Sequence, residues 1–326
     1  MIKKLVVILG PTASGKSELA VKLAKKFNGE VVSADSRQVY KGMDIGTGKI
    51  IPDTKNSSNF STGQAKKKYI FTYKRIPHYC IDVASPKSRF TVTQYRKLAL
   101  KAIDEIFKKN KIPILCGGTG FYIQAVVDGI IIPEVPPDWK LRKKLERKSV
   151  KELFKILKKL DPKRAKNIDK FNPRRLIRAI EIVMKTKKSV PLLKFQPLPY
   201  PVLMIGIKKQ KEELKKLISI RLLKRLRQGI VEEVKRLHFE GAEPRTEPEG
   251  SGARVKKLRK NGVSWKRLEE FGLEYRWIAR YLQKKISYNE MIEKLQKEIE
   301  HFAKRQMTWF KKDKRIQWIR NYREAE

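Results

Sequence analysis

Residues 10–17 read GPTASGKS, and Gly10, Gly15, Lys16 and Ser17 fill every fixed place of the pattern G-x-x-x-x-G-K-[ST]. Backbone N–H groups of such a loop, with the helix that follows it, make a cationic nest. Lys16 adds a point charge, and the Ser17 hydroxyl suits Mg2+. Gly10, Pro11, Thr12, Ala13, Ser14, Gly15, Lys16 and Ser17 are therefore a candidate site for a di- or triphosphate. Asp35, in SADSRQ, is the next candidate. Its position alone fits a metal-binding or water-positioning acid and an Asx-turn or helix cap equally well.

These groups need a scaffold that brings them together. Apolar runs at 4–9, 30–33, 112–116 and 201–207 have strand character, and helical stretches such as 14–27 and 93–109 lie between them. The alternation predicts an α/β fold with a parallel sheet covered on both faces. Ligands collect at the carboxyl ends of such strands. The phosphate loop, Asp35 and the GGTG at 117–120 each follow a run directly and are expected at one rim. From 129 to 199 the strand signal disappears between PEVPPDW and QPLPYP, which predicts a helical insertion domain. The core is then 1–128 and 200–326, closing with a helical C-terminal region over about 265–311. A long basic helix is expected over 209–239. Residues 53–68 read as a polar loop and 240–254 as a loose, Pro/Gly/Glu-rich one. VKRLHFEG and VKKLRKNG, at 234–241 and 255–262, share the spacing V-K-[RK]-L-x-x-x-G and look like a small duplication.

The 326 residues carry 77 Lys and Arg against 34 Asp and Glu, a formal net charge of +43. That suits a phosphate-rich partner, although a lysine-rich, merely solvated surface gives the same total. Two cysteines, Cys80 and Cys116, exclude a Cys-rich zinc site or a disulfide framework. Cys116, in IPILCGG, reads as a small core residue. No apolar run has the length of a membrane span, so a soluble, cytoplasmic protein is expected.

GPTASGKS, SADSRQVYKGMDIGTGK, IPHYCIDV, GGTGFYIQA and AKRQMTW occur in this order from residue 4 to about 319. Together they resemble the tRNA dimethylallyltransferase family. The resemblance implies transfer of a dimethylallyl group from dimethylallyl diphosphate to the N6 amine of the adenosine beside the anticodon. The acceptors would be tRNAs reading codons that begin with U. The loop would then hold a departing diphosphate, with Mg2+ on Ser17. Asp35 would take the amine proton, Arg225 would neutralise the leaving group, and Thr119 would line the reaction channel. Arg221, one turn before Arg225, lies on the same helix face and is the obvious confusion. The adenosine would be extruded from its stack and gripped by Asp35, Ser36, Arg37 and Gln38. Gly120, Lys143, Arg174, Arg175, Arg178 and Arg276 would contact the tRNA. A monomer is implied.

His78 matches a family histidine but reads first as a packing residue. Lys304, Arg305, Gln306 and Trp309 carry the AKRQMTW signature, with Trp309 expected in the core. Glu274, in LEYRW, stands where bacterial relatives usually have glycine. Three rival readings share the loop: a small-molecule kinase, prenyl transfer to a free adenine nucleotide, and a non-catalytic RNA-binding protein. The basic insertion favours an RNA acceptor over a free nucleotide, and no lid able to clamp a γ-phosphate stands out.

Overall fold

A computed structural model describes residues 3–53, 71–131, 135–191, 194–240, 262–320 and 324. The expected loops at 53–68 and 240–254, apart from Asp53 and Glu240, lie outside these residues. So does nearly all of the second V-K-[RK]-L-x-x-x-G copy.

The chain forms two compact units, Met1–Asp128 with Pro197–Glu326, and Gly129–Gln196. The larger unit is built on strands β1 (Leu5–Leu9), β2 (Gly29–Ser33), β3 (Phe71–Tyr73), β4 (Ile76–Tyr79), β5 (Ile112–Gly117), β8 (Val202–Ile207) and β9 (Ile316–Ile319). They hydrogen-bond in the order β3-β4-β2-β5-β1-β8-β9, and only the β3–β4 pair is antiparallel. The four strands expected from apolar runs are its centre. Alternation sorts their side chains between two faces. Leu5, Val7 and Leu9 join one buried cluster with Leu115 and Met204, and Ile8 joins another with Ile114 and Ile205. A sheet buried on both faces needs helices on both.

Helix α1 (Lys16–Lys26) covers the second face through Leu19, Ala20 and Leu23. The first is covered by α2 (Val92–Lys108) and α3 (Gly120–Val127). Helix α2 starts at Thr91, whose side chain accepts from Gln94 N while Gln94 reaches back, a reciprocal cap. The smaller unit pairs β6 (Ile130–Ile131) with β7 (Lys194–Phe195) and contains α4 (Trp139–Leu145), α5 (Val150–Leu160), α6 (Pro162–Lys166) and α7 (Pro173–Thr186). Leu153, Leu157, Leu176 and Ile180 form its core, on the apolar faces of α5 and α7. It is helical as expected, with a two-strand tie at its base that the sequence pattern did not reveal. Its second boundary falls at Gln196 rather than at 199.

The basic helix expected over 209–239 is two: α8 (Lys211–Arg227) and α9 (Ile230–Phe239). Gly229 breaks it with φ +89, a left-handed conformation no continuous helix contains. The C-terminal region holds α10 (Trp265–Phe271), α11 (Leu273–Leu282) and α12 (Tyr288–Phe310). Helix α12 packs on α8 through Leu295, Ile299 and Ala303 against Ile218 and Leu222. That contact carries α8 to the phosphate loop, because Ala13 of the loop packs on the same cluster. No helix among the described residues is long and apolar enough to cross a membrane.

Candidate active site

The strand order β2-β5-β1 fixes the plan of the site. Asp35 follows β2, the GGTG turn follows β5, and the phosphate loop follows β1. Three chemical elements thus stand side by side at the carboxyl rim, with the small GGTG residues in the middle leaving room above the sheet.

At Gly15, φ +89, the loop turns into α1, whose first turn carries no side-chain cap. An anion is the natural partner for those N–H groups. Lys16 Nζ donates to the Pro11 carbonyl at 2.6 Å, so the ammonium lies folded across its own loop. Burial lowers the Lys16 pKa from 10.5 to about 8; Arg221 adds to the fall, while Cys116 and Asp35 oppose it. The Ser14 hydroxyl is buried without a hydrogen-bond partner. A buried unpaired hydroxyl in a cationic cradle is a ready donor to a phosphate oxygen.

Asp35 Oδ1 accepts from Arg37 N at 2.8 Å and from Gln38 N at 3.4 Å, so the carboxylate organises its own turn. The capping and chemical readings of Asp35 are therefore not alternatives. Thr119 secures the same turn: Ser36 N donates to Thr119 Oγ1 at 3.0 Å, and Thr119 N to Ala34 O at 3.1 Å. Gln306 locks the other side. Its Oε1 accepts from Thr12 N at 2.8 Å and its Nε2 donates to Gly118 O at 2.7 Å. A Cβ on Gly118 would overlap that amide, so the GGTG glycine admits a protein side chain. The sequence marks Gln306 only as part of a signature, and a neutral amide directly after Lys304 and Arg305 is the available signal.

Arg221 and Arg225 of helix α8 diverge. The Arg221 guanidinium donates to Thr12 Oγ1 on the phosphate loop. Burial, with Arg225 beside it, lowers its pKa to about 9 against the pull of Glu274 and Asp35, so it stays cationic at neutral pH. Arg225 Nη1 instead donates to Glu274 Oε1 at 2.7 Å, in a pair exposed by only 5 % and 6 %. The arginine that reaches the phosphate loop is thus Arg221, and Arg225, for which that place was expected, is held one turn away.

On the expected acceptor side, Gln38 Nε2 donates to Gly48 O at 3.4 Å, and the Arg37 guanidinium lies 5.6 Å from the Phe271 ring. Gly120 sits against Trp309, which is 41 % exposed and edge-on to the exposed Phe121. Trp309 is therefore a surface aromatic, with exposed Lys304 and Arg305 on the same helix, and not the core residue its bulk suggested. In the smaller unit Lys143, Arg174 and Arg175 are exposed. Arg178 is turned inward, donating to the buried Glu181 and to Val135 O at 2.9 Å. Arg276 is likewise engaged, with Glu269 O at 3.2 Å and Glu298 Oε1 at 3.1 Å.

The 44–48 turn is held from below by Glu233, a residue the sequence gave no reason to select. Its carboxylate accepts from Asp44 N at 2.8 Å, Ile45 N at 2.6 Å, Gly46 N at 3.0 Å and Tyr275 Oη at 2.8 Å. Glu233→Gln turns an amide NH2 toward some of these donors. The variant is expected to lose about 1–3 kcal/mol of stability, measurable by denaturant unfolding.

His78 is buried, with Nδ1 at 2.8 Å from Ile76 O, and burial lowers its pKa to about 4. It is a neutral packing histidine at physiological pH. Cys116 is buried and its thiol is pushed up to about 12 by desolvation, as suits a core residue. Among the described residues no three His, Cys, Asp or Glu side chains converge on a possible metal position. Mg2+ usually keeps one or two protein ligands and takes the rest from phosphate and water. The exposed Ser17 hydroxyl at the end of the cradle fits that lesser demand.

The profile of the IPP transferase family matches residues 38–313, and that of the isopentenyl transferase family matches residues 3–59. A tRNA dimethylallyltransferase 1 of Syntrophus aciditrophicus is 39% identical over 98% of this chain and 94% of its own length. A tRNA dimethylallyltransferase of Acetivibrio thermocellus is 37% identical over 96% and 90%. The crystal structure of the tRNA isopentenylpyrophosphate transferase of Bacillus halodurans superposes with TM-score 0.62 at 32% identity, covering 98% of this chain and 90% of that one. A eukaryotic dimethylallyltransferase captured acting on tRNA gives TM-score 0.69 at 25% identity, over 94% of this chain and 70% of that one. With its phosphate loop, acidic turn and GGTG rim in place, this chain belongs to the tRNA dimethylallyltransferase family.

Proposed function

We propose that this protein transfers the dimethylallyl group of dimethylallyl diphosphate to N6 of the adenosine next to the anticodon, in tRNAs reading codons that begin with U. One observation carries the reading: a cationic cradle and a carboxylate-bearing turn flank one small-residue strand end. A reaction that expels an anion on one side and deprotonates a nucleophile on the other needs that arrangement.

The adenine amine is a poor nucleophile because its lone pair is delocalised into the ring. Its nitrogen forms a bond to C1 of the dimethylallyl group as the C1–O bond breaks, and the electron pair leaves with the diphosphate. Lys16, the Ser14 hydroxyl, the α1 N-terminus and Arg221 stabilise the charge that develops there. Asp35 accepts the proton the amine sheds. Thr119 and Gln306 hold these two sides in register by their bonds to Ser36, Thr12 and Gly118. Ser17 would hold Mg2+, which when bound adds positive charge to the diphosphate. The leaving-group role expected of Arg225 passes in this account to Arg221, on its contact with Thr12.

The acceptor base has to leave its stack to reach Asp35. Ser36, Arg37 and Gln38 surround its place, with Gly120 beside the exposed Phe121–Trp309 pair. Lys143, Arg174 and Arg175 supply exposed cations for the RNA backbone, while Arg178 and Arg276 act by bracing their own surroundings. We take the working form to be a monomer with one tRNA. Arg174→Ala and Arg175→Ala are each expected to weaken tRNA binding and to reduce the slope of log K against log salt by about 1. Filter binding across a salt series checks this. The function itself is tested with labelled dimethylallyl diphosphate, Mg2+ and either an anticodon stem-loop or AMP. Label is expected on the stem-loop alone; label on AMP alone would transfer the assignment to a free-nucleotide enzyme.

A further inference from the structure

Arg225 is 4 % exposed, and only part of its guanidinium is used. Nη1 is bound to Glu274, whereas Nη2 is buried and has no hydrogen-bond partner. A desolvated guanidinium N–H left unmade is costly, and a bound acceptor would satisfy it. Nη2 lies against Gly48, φ +64, where any Cβ would overlap it; only glycine leaves the donor in place. The carbonyl of the same Gly48 accepts from Gln38, so this nitrogen adjoins the acceptor-side turn.

Arg225 and Gly48 line a cavity of about 710 Å³ with Lys49, Ile50, Phe71 and Asp82. Its charges are spent internally. Glu274 offsets Arg225, and Lys49 Nζ donates to Asp44 at 2.8 Å and to Asp82 at 2.5 Å. With no surplus of positive charge, the wall is a poor phosphate site. Apolar Ile50 and Phe71 beside the Arg225 guanidinium in the cavity wall suit a flat, neutral ring carrying a hydrogen-bond acceptor. We propose that the Arg225–Glu274 pair is a donor site for a nucleobase of the acceptor RNA that neighbours the alkylated adenosine, with Glu274 as the positioning residue. The inference rests on the function proposed above.

The test is a cycle of kcat/KM values. Wild type and Arg225→Met are assayed with an intact anticodon stem-loop and with stem-loops abasic at the nucleotide 5′ or 3′ to the target. One abasic substitution is expected to cost the wild type about 10-fold. Arg225→Met is expected to show that loss already with intact RNA, to lose nothing more at the abasic site, and to keep its donor KM. Removing Arg225 leaves Glu274 buried and unpaired, so Arg225→Met/Glu274→Met is assayed beside it, since apolar replacement of a buried pair preserves packing. If the single variant does not fold, the double variant decides by the same criterion. Equal abasic losses in wild type and variant overturn the proposal, as does a raised donor KM. A wild type that alkylates no stem-loop overturns the parent function, and this inference with it.

Discussion

Asp35→Asn is expected to lower kcat by at least about 10²-fold with little change in the acceptor KM. The structure explains why asparagine, not alanine, isolates the chemistry. Asp35 Oδ1 accepts from Arg37 N and Gln38 N, and an asparagine carbonyl can accept both bonds while taking up no proton. Asp35→Ala removes the proton acceptor and the brace of the 35–38 turn together. It is therefore expected to lose kcat and acceptor binding at once. Steady-state kinetics with saturating donor separate the two variants. Asparagine and alanine losing acceptor binding equally, with kcat unchanged, would make Asp35 architectural only.

Arg221→Ala is expected to lower kcat by about 10²–10³-fold, because its interaction with the diphosphate strengthens as negative charge builds on the leaving oxygen. Its guanidinium already touches Thr12, and its partly buried setting strengthens that charge's effect. Lys16 works on the same anion and loses its proton first, at about 8 against about 9 for Arg221. Burial brings it to about 8, so the donor-free enzyme carries this charge below pH 8 and sheds it as the pH rises through that value. The bound diphosphate opposes deprotonation. Consequently kcat/KM for the donor is expected to fall above about pH 8 while kcat holds to higher pH, since the first reports the free enzyme and the second the complex. A pH–rate series resolves the two. A donor kcat/KM that stays flat from pH 7 to 9.5 would remove Lys16 from the binding step.

The parts of this site written in consecutive residues were legible. GPTASGKS, its entering strand and its leaving helix are all local, and so are the runs that became β2, β5 and β8. Short elements were not. β3, β4 and β9 have three or four residues each, too few for alternation to stand out, and they exist because β4, β2 and β8 respectively offer them edges. The break at Gly229 was visible as a glycine, but helical periodicity on both sides read through it. The largest gap was between Arg221 and Arg225. Spacing puts both on one helix face, and the choice is made by partners distant in sequence, Thr12 for one and Glu274 for the other. Gln306, 294 residues from Thr12, is a placement of the same kind. The inward pairing of Arg178 was not legible either, because a buried Glu181 beneath a charged face does not show in the sequence pattern.

The most direct test of the account is a product balance. Enzyme, Mg2+, dimethylallyl diphosphate and anticodon stem-loop are incubated, and both alkylated adenosine and released phosphates are quantified. One diphosphate for each N6-alkylated adenosine, and no orthophosphate when ATP replaces the prenyl donor, is the expected result. Orthophosphate released from ATP with no alkylated RNA in the parallel reaction would contradict it.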